Sequence, residues 1–450
     1  MDSTQSFAGL GVSDSIIRAL SQLGIETPSE IQAAAIPEAL EGKDVCGKAS
    51  TGSGKTFAFG IPLVQLAKRS KPLAPNALVL VPTRELALQV RNVLFSLSQT
   101  DPAKKVWTEA FYGGVPIDRQ IRALRKGVSI VVATPGRLLD LIGRGAMYMN
   151  SLERIVLDEA DLMADMGFLP DVEEILSHVG NDHQTMLFSA TLDGYVDVLR
   201  KRHMNNPVTH EVAQNDDRTE LMSHHFLYVD SRSKNALLSK VTKGAERSLV
   251  FVRTRDSAEV VAQTLYEDGA DAELLTGAIK QSARERVLRR FAQGKTQVLV
   301  ATDVAARGLD ISGLDLVVHY DMPDDEKAFV HRSGRTARAG KTGVVVTFVQ
   351  GNQVRSLLRI QELLGLSQPI LKVDLNDPAL AGIAQGEQPN AQEYKVHTQD
   401  RSRSTSSSGS RWSSQKRSTS SGSSRSGGGY ASRGRQSFDG ATQSKRRSSY

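Results

Sequence analysis

Three carboxylates, Asp158, Glu159 and Asp161, fall within four residues of the stretch 156–168, VLDEADLMADMGF, directly after the apolar run 155–157. Negative charge at the end of a buried strand suits a metal-bound phosphate. One acid there can hold Mg2+, and its neighbour can orient or deprotonate an attacking water. An acidic helix N-terminus would use the same residue types. A phosphate site elsewhere in the chain decides between the two. Residues 49–56, ASTGSGKT, provide one. A glycine-rich turn faces backbone N–H groups toward phosphate oxygens, and the helix after it adds the positive end of its dipole. In such a loop Lys55 reaches the terminal phosphates and the Thr56 hydroxyl meets Mg2+. The strict phosphate-loop pattern asks for glycine where Ala49 stands.

Two further stretches carry chemistry. Residues 27–30, TPSE, read as a capping box with Pro28 at the first helical position, which sets Gln32 in the first turns of a helix. A fixed amide can bond both an adenine edge and a turn. Residues 331–340, HRSGRTARAG, place Arg332, Arg335 and Arg338 at every third position, near one face of a helix. Guanidinium groups suit phosphate and can stabilise charge on a transferring phosphoryl group.

The elements that must position these groups follow from the apolar runs. Residues 77–81 (ALVLV), 129–133 (SIVVA), 154–157 (RIVL) and 185–188 (TMLF) are short, apolar and separated by helical patterns. Such strands belong to a parallel sheet covered on both faces. The sequence turns polar near 212–219, and the alternation restarts at 226–229, 248–252, 297–301, 316–319 and 344–349. The expected organisation is α/β throughout: a first domain over 1–210, a linker over 211–221, a second domain over 222–372 and a tail over 373–450. A length of 450 residues accommodates two or three domains.

Composition sets the partners. The net charge is +6, but residues 401–450 hold eleven Lys/Arg against Asp439 alone, so the preceding 400 residues carry −4. A mildly acidic body with a basic tail points to a polyanion. The tail has nineteen serines and few aromatics, too little apolar surface to offset ordering entropy, and is expected to be disordered. The single cysteine, Cys46, excludes an intrachain disulfide and fits a reducing, cytoplasmic setting. No apolar run approaches the roughly 20 residues that span a bilayer, and no secretory leader is visible, so no membrane partner is expected.

In combination these motifs resemble the DEAD-box family of ATP-dependent RNA helicases over about residues 7–350. Residues 158–161 spell DEAD, and in this family Ala49 is normal at the start of the phosphate loop. Gln32 with Phe7 resembles the adenine-recognising motif. Residues 82–87 (PTRELA), Gly113-Gly114 and 134–137 (TPGR) are similar to its RNA-contacting motifs, and 189–191 (SAT) to the motif coupling hydrolysis to strand separation. Residues 250–254, 281–284, 301–310 and 331–340 match the second-domain set.

The resemblance implies two tandem RecA-like domains and the cofactors ATP and Mg2+. It implies ATP binding by Phe7, Gln32, Ser50, Thr51, Gly52, Ser53, Gly54, Lys55, Thr56, Asp303, Arg335 and Arg338. Mg2+ would be held by Thr56 and, partly through water, Asp158. Glu159 would activate water, with Lys55, Asp158 and the arginine fingers Arg335 and Arg338 completing the catalytic set. Pro82, Thr83, Arg84, Gly114, Thr134, Arg137, Arg253, Arg284 and Thr302 would meet RNA, and Asp161, Ser189, Thr191 and His331 would couple the halves. The implied activity is RNA-stimulated ATP hydrolysis, with domain closure and local, non-processive unwinding or ribonucleoprotein remodelling by a monomer. The compact core and short N-terminal extension resemble bacterial members. Ala337 replaces a frequent glycine, a change expected to be harmless within a helix. A non-enzymatic clamp on RNA and a DNA helicase are the rival readings. The intact Lys55, Glu159, Arg335 and Arg338 weigh against the first.

Overall fold

The structure is a computed structural model describing residues 6–50, 52–100, 106–212, 221–306, 309, 311, 313–337 and 342–395. Thr51, Arg338, most of the expected linker and the serine-rich tail from 401 lie outside the described residues.

The first sheet contains β1 (Val45–Lys48), β2 (Ala77–Leu80), β3 (Thr108–Phe111), β4 (Ile130–Ala133), β5 (Arg154–Asp158), β6 (Gln184–Ser189) and β7 (Val208–Glu211). Their order is β3-β4-β2-β5-β6-β1-β7 and every pairing is parallel. The second contains β8 (Met222–Tyr228), β9 (Ser248–Val252), β10 (Ala272–Leu275), β11 (Val298–Thr302), β12 (Leu316–His319), β13 (Gly343–Val349), β14 (Ile370–Val373) and β15 (Ala391–Glu393). It runs β10-β11-β9-β12-β13-β8-β14-β15, parallel except for the last pair.

Why both faces of these strands are apolar is visible in β2. Ala77 and Val79 enter one core cluster and Leu78 and Leu80 another, so alternate side chains feed two cores on opposite faces. In β9, Val250 and Leu249 divide in the same way. The covering helices of the first domain are α1 (Asp14–Gln22), α2 (Glu30–Leu40), α3 (Lys55–Leu66), α4 (Arg84–Ser98), α5 (Ile117–Arg125), α6 (Pro135–Gly143), α7 (Ala160–Asp165), α8 (Leu169–Ser177) and α9 (Tyr195–His203). Those of the second are α10 (Lys234–Thr242), α11 (Arg255–Glu267), α12 (Gln281–Ala292), α13 (Asp303–Ala306), α14 (Glu326–Ser333) and α15 (Val354–Leu364). No described helix is long and apolar enough to cross a membrane.

Four expectations are corrected. The second domain does not stop at 372: β14 pairs with β8, and Leu380 and Ile383 are fully buried in its core. A polar, proline-containing stretch hid this, because its structure is two 3-10 turns and a three-residue strand. The capping residue of α2 is Ser29, and Gln32 supplies its box, so Pro28 precedes the helix instead of opening it. The helix α14 ends at Ser333, so Arg335 lies beyond it and does not share its face with Arg332. Ala337 is not helical either: its φ is +50°, in the left-handed region.

In both parallel sheets the motif residues sit where strands end. β1 runs into the phosphate loop, β5 ends at Asp158, β6 at Ser189 and β11 at Thr302. Open α/β sheets bind ligands outside the carboxyl ends of their strands.

Candidate functional site

The phosphate loop is held from outside. Gln32 Nε2 donates to the Gly54 carbonyl at 3.1 Å, and the Ser29 hydroxyl donates to the Ser53 carbonyl at 2.8 Å. The other end of the Gln32 amide accepts from the Ser29 N–H at 3.0 Å. Gly54, with φ +95°, is the N-cap of α3, and a Cβ there would stand 2.3 Å from Gln32 Nε2. Only glycine permits both that conformation and that approach. Gln32 is itself 4% exposed, so its amide is fixed. Phe7 is buried in the core cluster that contains Ile31 and Phe59. Thr56 is half-buried in the first turn of α3, Gly52 takes φ +80°, and the Ser53 hydroxyl is buried with no partner among the described residues. Ser50 is described with its own interaction.

Lys55, 4% exposed, reaches across this loop to the acids. Its Nζ lies 3.1 Å from Glu159 Oε1 and donates to the Ala49 carbonyl at 3.0 Å. Burial opposes its charge, but Glu159, Asp158 and Asp161 outweigh burial and raise its pKa. Asp158 is 2% exposed, and Oδ1 accepts the Glu159 N–H at 3.0 Å. Burial, then the charge of Glu159, pushes its carboxyl up to about 7, against the pull of Lys55. Glu159 caps α7 with φ +53°, a conformation uncommon for any residue but glycine, and such strain gathers at functional sites.

Three carboxylates thus face one ammonium. Asp161 too is raised, by burial and then by Glu159, while Lys55 and His331 pull it down. The cluster lacks positive charge and its loop holds an unpaired hydroxyl. These residues fit a Mg2+–nucleotide, since Mg2+ is usually held by one or two carboxylates together with substrate phosphates. Asp161 does not compete for that role. Its N–H donates to Ser189 Oγ at 3.2 Å, and its Oδ2 accepts the Ala190 N–H at 3.2 Å. The Thr191 N–H donates to the same Ser189 hydroxyl at 3.3 Å. Asp161, Ser189 and Thr191 are therefore one hydrogen-bonded unit, and His331 reaches it electrostatically.

On the second domain, a pocket is lined by Phe251, Asp303, Ala306, Ala328, His331, Arg332 and Arg335. Arg332, 4% exposed, donates bidentately to Asp303 at 2.7 and 2.5 Å and to the Asp321 carbonyl at 2.6 Å. It is a structural anchor and occupies the carboxylate of Asp303. Arg335 donates to the Leu309 carbonyl at 2.6 Å. Arg338 lies outside the described residues.

The groups expected to meet nucleic acid are gathered from both domains. The Arg84 guanidinium lies against Gly113 and Gly114, where a Cβ on Gly114 would be 2.6 Å from Nη1, and donates to Gln281 at 3.2 Å. Gly114 has φ +89°. Arg284 pairs with Glu85 and donates to the Ala305 carbonyl at 2.5 Å. Arg137 donates to Gln120 at 2.6 Å and to the Val115 carbonyl, and Gln120 donates to the Tyr112 carbonyl at 3.2 Å. Pro82 is buried at the end of β2, and Thr83 caps α4 by accepting the Leu86 N–H at 3.3 Å. Thr134 stands at the N-cap position of α6 without a side-chain cap bond, and its N–H donates to the Phe111 carbonyl at 3.0 Å. Arg253 is exposed, with Asp324 at 2.6 Å, and Thr302 is buried at the end of β11. Sequence reasoning missed Ser29 as the second clamp on the loop and Gln120 as the support of Arg137. The first lay beside a recognised cap. The second, one glutamine on an amphipathic helix, gave no signal.

The DEAD/DEAH box helicase family model matches residues 29–198, and the helicase conserved C-terminal domain model matches 233–340. The chain is 42% identical over 379 residues to the DEAD-box ATP-dependent RNA helicase CshA of Geobacillus kaustophilus, covering 84% of this chain and 80% of the relative. It is 42% identical over 383 residues to CshA of Bacillus subtilis, covering 84% and 76%. Among solved structures, S. cerevisiae Dbp5 bound to RNA and ADP BeF3 is similar with a TM-score of 0.73 and 29% identity, over 85% of this chain and 99% of that one.

Proposed function

The chain belongs to the DEAD-box family of ATP-dependent RNA helicases, and from that premise we propose how its residues divide the work. ATP binds at the loop that Gln32 and Ser29 clamp, with Lys55 on its terminal phosphates. Glu159 accepts a proton from the attacking water. Arg335 and Arg338 arrive from the second domain to stabilise charge on the transferring phosphoryl group, a contribution of about 10³–10⁵ in rate where such fingers act. Mg2+, held by Thr56 and Asp158, would add positive charge at the phosphates when bound.

RNA is held through its sugar–phosphate backbone by Arg84, Gly114, Thr134, Arg137, Arg253, Arg284 and Thr302, which confers little sequence specificity. ATP and RNA each bridge both domains, so closure requires both. RNA bent against the two domains cannot remain a straight A-form duplex, and a few base pairs open without long translocation. The protein acts as a cytoplasmic monomer on RNA and ribonucleoprotein, with residues 401–450 as a sequence-blind anchor for RNA.

The observation that carries this reading is the buried Lys55–Glu159 pair at 3.1 Å, beside Asp158 and under a loop pinned by Gln32. Glu159→Gln tests it. The variant should retain ATP and RNA while RNA-stimulated turnover falls by about 10²–10⁴, the usual worth of a positioned base. Normal turnover in the variant would remove Glu159 from its role. A wild-type protein that holds RNA with ATP but never hydrolyses it would favour the clamp.

A further inference from the structure

The helix α5 carries cations that the site described above does not use. Arg119, Arg122 and Arg125 lie on it and Lys126 follows its last residue; all four are exposed. At about 100° per residue they share roughly one third of the helix circumference, opposite the buried Gln120 and Leu124. None of the four forms an ion pair or a side-chain hydrogen bond among the described residues, although Asp118 stands on the same helix. Elsewhere in this domain Arg144 pairs with Asp140 and Arg202 with Glu173, while Arg18 and Arg69 are exposed singly with no ion pair among the described residues. An unpaired cluster is conspicuous in a body of 400 residues whose net charge is −4.

The position of the helix connects it to the nucleic-acid groups. β3 is the edge strand of its sheet, and the chain leaves it through Gly113-Gly114 into α5. Gln120, on the buried side of α5, fixes Arg137 at 2.6 Å. The helix therefore starts beside Arg84 and Arg137 and runs back along the sheet edge. From Arg119 to Lys126 it advances about 10 Å. Its far end abuts the backbone of residues 70–71, where a Cβ on Gly127 would stand 2.7 Å from the Ser70 carbonyl, and Lys71 there is exposed.

We infer that this exposed face of α5 is a second binding surface for RNA, taking the phosphate backbone of the strand or duplex that leaves the Arg84–Arg137 contacts over the β3 edge. The inference rests on the RNA-helicase reading and adds an RNA segment outside the two-domain site. Such contacts read no bases and depend on salt. Each neutralised phosphate contributes about 0.7–0.9 to the salt slope of binding.

The test uses the full chain carrying Arg119→Glu, Arg122→Glu and Lys126→Glu together, all surface substitutions. Binding is measured with a non-hydrolysable ATP analogue across a salt series. One probe is a short single-stranded RNA that fills only the two-domain site, and the other is the same strand extended by a duplex. The expected result is an affinity loss of roughly tenfold and a salt slope lower by about 2 for the extended RNA alone, with the short RNA binding as wild type. ATPase activity at saturating short RNA should be unchanged. Wild-type binding of the extended RNA by the triple variant overturns the inference, and so does an equal loss on both RNAs. Arg84→Ala separates the two levels. It should weaken both probes, and if neither it nor the wild type responds to RNA at all, the underlying RNA reading fails with the α5 surface.

Discussion

Asp158→Asn should stabilise the nucleotide-free protein while abolishing its activity. Asp158 is 2% exposed, accepts the Glu159 N–H, and shares its surroundings with Glu159, Asp161 and only one ammonium. Its carboxyl is pushed up to about 7, first by burial and then by Glu159. An acid whose folded pKa exceeds its unfolded value binds more protons when folded across the interval between them. Stability therefore falls as pH rises from about 4 to about 7, and the full penalty applies above that window. Holding a carboxyl from 3.8 to about 7 costs at most ~4 kcal/mol, at 1.36 kcal/mol per pH unit. The asparagine amide keeps the shape and loses the charge, but its new N–H groups need partners, so a net gain of about 2 kcal/mol is the working figure.

For a domain of this size about 2 kcal/mol corresponds to roughly 4–8 °C in melting temperature. The assay is thermal unfolding of wild type and Asp158→Asn without nucleotide, at about pH 5 and about pH 8, within and above the window set by the raised carboxyl. The advantage of the variant should be larger at the higher pH. Adding ATP and Mg2+ should raise the wild-type melting temperature and leave the variant nearly unmoved, by mass action on the bound state. An advantage that is equal at both pH values, or a variant less stable than wild type at about pH 8, refutes the claim that charge at Asp158 is held against its own burial.

Two other substitutions address parts of the same machinery. Gln32→Ala removes the donor to Gly54 and the acceptor for Ser29; two such bonds contribute about 1–3 kcal/mol in all. ATP affinity, read with a fluorescent nucleotide, should drop about tenfold or more while nucleotide-free RNA binding holds, and unchanged ATP affinity would mean the clamp is dispensable. Ala337→Gly relieves a left-handed alanine that costs about 1–2 kcal/mol, partly offset by 0.5–1 kcal/mol of glycine entropy. Its second-domain transition should rise by a few degrees, whereas a fall would show that the buried alanine methyl contributes more through packing than its backbone loses.

What could be read from the chain alone was set by where the physics is local. β2 and β4 are short runs of Val, Leu, Ile and Ala, and β9 (SLVFV) and β12 (LVVH) depart from that by one or two residues; all four are buried throughout, so composition alone marks them. β3 (TEAF) and β10 (AELL) mix charge with apolar residues because they are edge strands, and β14 and β15 are edge additions closed by turns. The phosphate loop and the acid cluster were equally plain, since each is a contiguous stretch with its own electrostatic reason. What the chain could not disclose was which arginine faces which partner. Arg332 and Arg335 have the same type and spacing, yet one lies inside α14 and turns into Asp303, while the other follows the helix end and reaches the Leu309 carbonyl. That distinction depends on where the helix stops, and α14 ends at Ser333 with Gly334 as its C-cap. Beyond that end Ala337 takes φ +50°, in the left-handed region. A helical period extrapolated through a glycine thus puts Arg332 and Arg335 on one face, whereas the two turn to different partners.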